Sequence, residues 1–201
     1  MMKLRTIALI SSALVSALVL AGCSAADSAS SPSPSSSAEA SAVFNSADVM
    51  FASGMIPHHQ QAVEMADVVL AKDGIDTRVI ELAQQIKAAQ DPEITTMKGW
   101  LTEWGIEYDE SAMEGMVGME GMDHGDGLMS QSDMDELDRA TGDEASRLFL
   151  EQMIVHHEGA IMMAGLEIDN GNNPAAIELA EAIVSGQTTE VTTMNTLLGS
   201  L

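Results

Sequence analysis

The chain contains one two-segment unit written twice, and that repeat constrains the fold more than any other feature. Phe51, Met55, Ile56, His58, His59, Ala62, Met65 and Ala66 return 98 residues later as Phe149, Met153, Ile154, His156, His157, Ala160, Met163 and Ala164. Downstream, after a slip of one residue, IELAQQI (80–86) returns as IELAEAI (177–183), and QDPEITTM (90–97) as QTTEVTTM (187–194). The two segments of each unit are separated by KDGID (72–76) or DNGNNP (169–174), stretches of loop-forming Gly, Asn, Asp and Pro. No segment sustains the alternation of a strand. Two helical hairpins predict an all-α, ferritin-like antiparallel four-helix bundle. The helices are expected over 46–72, 76–104, 142–170 and 174–199, with a short further helix over 131–139. Pro92 lies inside the second helix without a counterpart in the fourth, so a kink or break is expected there.

The N-terminus reads as a processing signal. Lys3 and Arg5 precede an apolar run from Ile7 to Leu20, which is short of the roughly 20 residues a membrane span needs and suits a signal-peptide core. The run ends in Leu20-Ala21-Gly22-Cys23, a lipobox-like sequence that makes residues 1–22 a lipoprotein signal peptide and Cys23 the lipidation site. Residues 23–45, rich in Ser, Ala and Pro, lack the apolar side chains that offset chain entropy and read as a disordered tether. Residues 46–201 remain for a single domain. Removal of 1–22 takes away two cations and no anions, moving the net charge from −23 to −25. Such a surface repels nucleic acid and concentrates cations. Cys23 is the only cysteine, so the domain has no disulfide and rests on its core.

The histidines carry the chemistry. At about 100° per residue, Met55, His58, His59 and Met65 fall within an arc of about 120° on one helix face, together with Ala62 and Ala66. Met153, His156, His157 and Met163 repeat the arrangement, whereas Met162 falls outside it. Methionine at such positions is often only core, and one buried histidine is often only hydrogen-bonded core. A duplicated Met-x-x-His-His-x5-Met pattern points further, because neutral imidazole and thioether are both metal ligands and thioether selects soft ions, above all Cu(I). Adjacent histidines diverge by about 100°, so a complete site draws on two helices or on the intervening loop. Met97 and Met194 sit at equivalent places on the second and fourth helices and are candidate extra ligands or, as expected, core.

That loop, over 105–131, joins the two units. Met113, Met116, Met119 and Met122 recur every third residue with Gly115, Gly118 and Gly121 between them, and His124 follows. So much glycine does not build a helix. The stretch reads as a thioether arm that captures or transfers Cu(I), aided by Glu114, Glu120, Asp123 and Asp126.

On these motifs the sequence resembles the domain-of-unknown-function 305 (DUF305) family, which includes CopM-type copper-binding envelope proteins. The resemblance spans about Phe44 to Leu201 and rests on FASGMIPHHQQAVEMA, FLEQMIVHHEGAIMMA and the Gln-x-x-Glu-Ile/Val-x-x-Met segments. It implies the ferritin-like bundle and extracytoplasmic copper binding through Met55, His58, His59, Met65, Met153, His156, His157 and Met163. The loop methionines match the family only loosely.

The expected function is therefore a non-enzymatic copper-binding lipoprotein of the bacterial cell envelope, anchored at Cys23, that sequesters Cu(I) or hands it to a transfer partner. Two other classes compete with it. A ferritin-like di-metal oxidase normally takes Glu-x-x-His from two of its helices, and no Glu-x-x-His occurs in this chain. A protein-interaction module would use the acidic surface and leave Met and His as core.

Overall fold

The computed structural model describes residues 43–109 and 127–201. Among these, every regular element is an α-helix: α1 (Ser46–Leu70), α2 (Thr77–Glu103), α3 (Gln131–Arg139), α4 (Gly142–Asn170) and α5 (Pro174–Leu198). No described helix is long and apolar enough to cross a membrane. The expected ends agree to within two residues. Four of the five starts have a side-chain cap. Asn45 and Asp48 form a capping box on α1, and Ser130 and Asp133 form another on α3. Asp76 accepts from the Arg78 amide to open α2, and Asn173 accepts from Ala175 and Ala176 behind Pro174 at the start of α5.

Of the kink or break expected at Pro92, the break is absent. α2 runs unbroken through it, and α1 runs through Pro57 in the same way. Each proline removes a single backbone donor. The rest of each long helix is held by its packed face, which outweighs that local loss.

α1 packs on α2 and α4 on α5, as two hairpins, while α1 and α4 pack on each other and α2 and α5 scarcely meet. The Asn45 side chain donates to the Asn170 carbonyl, which puts the start of α1 beside the end of α4 and makes the central pair antiparallel. The histidine motifs lie near the middle of these two helices, so the antiparallel crossing brings them face to face.

The core divides into two clusters on either side of that crossing. One holds Met65, Phe149, Leu150, Met153 and Met194, capped by Met129, Met134 and Leu137 from α3 and the segment before it. The other holds Phe51, Met55, Ile56, Met97, Leu101 and Ile183, with Met163 packed against it. Each cluster thus mixes the copies, with Met55 and Met97 of the first beside Met163 of the second, and Met153 and Met194 of the second beside Met65 of the first.

The linker returns to the bundle next to the histidine motifs. Gln61 holds the Met129 backbone from both sides, donating to its carbonyl at 2.9 Å and accepting from its amide at 2.7 Å. Gly127 has φ +77° and lies so close to α4 that a Cβ there would meet the Val155 carbonyl oxygen at 2.6 Å. Met129 and Met134, which follow the loop methionines, are buried core.

Candidate metal centre

His58, His59, His156 and His157 are all fully buried. The inner pair, His58 and His156, comes from opposite helices, with ring centroids 3.8 Å apart and planes tilted by 43°. Within each helix the neighbouring rings diverge, with centroids 6.4 Å apart in both copies. The outer pair turns away toward the partner helix of its own hairpin. His59 Nε2 lies 2.7 Å from Glu93 Oε2 on α2, and His157 Nε2 lies 2.7 Å from Glu190 Oε2 on α5.

Those two contacts settle the tautomers. A carboxylate oxygen accepts only, so each Nε2 carries the proton and donates it. The remaining lone pair is then on Nδ1. The Nδ1 atoms of His59 and His157 are buried and have no hydrogen-bond partner among the described residues. Burial, reinforced by His58, His157 and His59, pushes the His156 pKa well down and keeps that ring neutral. A buried polar atom left unsatisfied costs about 1–3 kcal/mol, and each outer ring carries one.

The methionines are placed as expected but are less diagnostic. Met55, Met65, Met97, Met153 and Met194 have no exposed surface, while Met163 is only half-buried. Hydrophobic packing alone would bury them. Met162 is 54% exposed and stands outside the centre. Among the described residues no three or more His, Cys, Asp or Glu side chains converge to hold an ion. Met113, Met116, Met119, Met122, His124 and Cys23 lie outside the described residues.

Glu93 and Glu190 are the residues the sequence reading missed. Their signal was present, since both copies place Glu three residues after Gln in QDPE and QTTE. What the spacing did not reveal is that these carboxylates meet His59 and His157 across the hairpin.

A model of the DUF305 family, a domain of unknown function, matches residues 48–198. Among solved structures, a DUF305 fragment from Deinococcus radiodurans is 30% identical with a TM-score of 0.66, over 78% of this chain and 98% of that one. CopM in the Cu(II)-bound form is 30% identical with a TM-score of 0.63, over 77% of this chain and 96% of CopM. CopM in the Cu(I)-bound form is 30% identical with a TM-score of 0.60, over 76% of this chain and 96% of CopM. No curated protein matches the chain.

Proposed function

This chain belongs to the DUF305 family, and from that premise we propose that it binds copper, foremost Cu(I), at the histidine centre between α1 and α4. One observation carries the reading: the buried, unpartnered Nδ1 atoms of His59 and His157, each on a ring whose opposite nitrogen donates to a glutamate. Metal-bound histidines are commonly oriented by such a carboxylate, which fixes the tautomer and raises the basicity of the ligating nitrogen. Each of the two core clusters brings together three methionines, Met55, Met97 and Met163 in one and Met153, Met194 and Met65 in the other. Thioether with neutral imidazole selects Cu(I). The CopM likeness, with Cu(I)-bound and Cu(II)-bound forms of that protein, supports the same cargo.

In this reading the chain holds and passes on the ion without catalysing a reaction. It works outside the cytoplasm, anchored by lipid on Cys23 after removal of 1–22. The methionines at 113–122 act as a collecting arm, and the pinning of Gly127 and Met129 beside both motifs ties its following end close to the rings. The test is competitive titration of the full-length protein with Cu(I) and Ag(I). Changing His58, His59, His156 and His157 together to Ala should weaken the tightest site by more than about 100-fold, beyond the effect of losing a ligand's hydrogen-bond partner, while the helical circular dichroism persists. An unaltered tight site in that variant would end the proposal.

A further inference from the structure

α2 and α5 scarcely touch, and the gap between them holds a cavity of about 40 Å³. It is lined by Gln90 and Glu93 of α2 and by Gln187 and Glu190 of α5, with the small residues Ala89 and Gly186 beside them. This is the same Gln-x-x-Glu pair twice, brought together by the bundle's internal two-fold symmetry. The space suits one water or one ion and no organic molecule.

The two glutamines distinguish this cavity from an ordinary acidic surface. Gln90 is 2% exposed and Gln187 is 5% exposed, yet the Oε1 atoms of both, and Nε2 of Gln90, have no hydrogen-bond partner among the described residues. Buried amides are normally satisfied, and each unsatisfied one requires an explanation. The glutamates are partly open to solvent, at 23% and 21% of their side-chain surface. Each uses Oε2 to hold a histidine, which leaves Oε1 as a further acceptor. Two carboxylates and two amide carbonyls around one small cavity form an oxygen donor set, and oxygen donors suit hard divalent cations rather than Cu(I).

We propose that the α2–α5 cavity is a second cation site, chemically distinct from the histidine centre. It takes a hard divalent ion on the carbonyl oxygens of Gln90 and Gln187 and the carboxylates of Glu93 and Glu190. This site does not depend on copper binding at the rings.

The probe is Mn(II), which is paramagnetic and poorly suited to thioether. Added to the full-length protein, it should broaden the ring-proton resonances of His59 and His157, whose glutamate partners line the cavity, at concentrations below those that affect the acidic surface. Gln90→Leu with Gln187→Leu keeps side-chain size and removes two unsatisfied amides, so the fold should persist. The double variant should need at least about tenfold more Mn(II) for the same broadening, with Ag(I) affinity unchanged. The proposal is overturned if Mn(II) leaves the histidine resonances of the unaltered protein sharp, if the double variant broadens at the same concentration, or if its Ag(I) affinity falls along with its Mn(II) affinity. Loss of the copper reading would show separately, as absent Cu(I) and Ag(I) binding in a protein that still responds to Mn(II).

Discussion

The two copies of the repeat are alike around the histidines and differ where each meets its own loop or turn. His58 and His156, His59 with Glu93 and His157 with Glu190, and Gln90 with Gln187 all match, down to equal 2.7 Å contacts. At other positions the copies differ. Where the first copy has Gln61 gripping Met129, the second has Gly159, against which Gly127 lies. Where the second has Ser146, whose hydroxyl accepts from the Asp76 amide, the first has Asp48, which accepts from Asn172 and Asn173. Val69 of the first copy corresponds to Glu167 of the second, both buried. The differences fall where each copy meets something unique, the returning linker or a particular turn. The matches fall at the histidines and the Gln-x-x-Glu segments beside them.

The largest effect that sharpens this contrast is expected in the core. Phe149 is fully buried in the cluster that α3 covers, whereas its counterpart Phe51 is 4% exposed and borders a groove of about 380 Å³. Phe149→Ala should cost about 3–5 kcal/mol in urea unfolding, and Phe51→Ala less, since a site beside a groove collapses more readily. Equal losses would mean that α3 contributes no cover of consequence.

At the matched centre the copies should behave alike. Glu93→Gln and Glu190→Gln each leave a hydrogen-bond acceptor beside the ring but remove its charge. Each is expected to weaken Cu(I) binding by about 10–100-fold, the usual range for the outer partner of a metal-bound histidine, and by similar factors in the two copies. A tenfold disparity between them would show that the ion sits off the two-fold axis. No change in either would remove the glutamates from the site.

The smallest expected effect belongs to the unmatched end. Burial, together with the neighbouring Asp48 carboxylate, raises the Glu167 pKa to about 8. Burial also pushes Asp48 up, but the backbone amides of Asn173, Asn45 and Asn172 together with Glu167 hold it below its ordinary value. The folded state therefore binds a proton at Glu167 that the unfolded state has released above pH 4.5. Stability from this group is complete below that value and declines as pH rises toward about 8. Glu167→Gln should flatten the decline, measured as the denaturation midpoint against pH, while Val69→Leu at the matching position of the first copy should leave the slope unaltered. A wild-type midpoint independent of pH over this window would remove the coupling.

Sequence alone determined the helices and the duplication, because both are local. Periodicity, caps such as Asn45 and Asn173, and the Gly and Asn turns act over a few residues, and a repeat is visible by comparison of the chain with itself. It also marked His58, His59, His156 and His157 as belonging to one buried face. Only the tertiary structure decided what those rings meet. The antiparallel crossing of α1 and α4 sets His58 on His156, the hairpins bring Glu93 and Glu190 to the outer rings, and Met65 and Met163 each join the other copy's methionines. The loose α2–α5 contact, which leaves Gln90 and Gln187 around a cavity, has no trace in spacing. Contacts between helices depend on how far apart and at what angle the axes pass. That is set by all the side chains packed between them, and no short stretch of chain contains it.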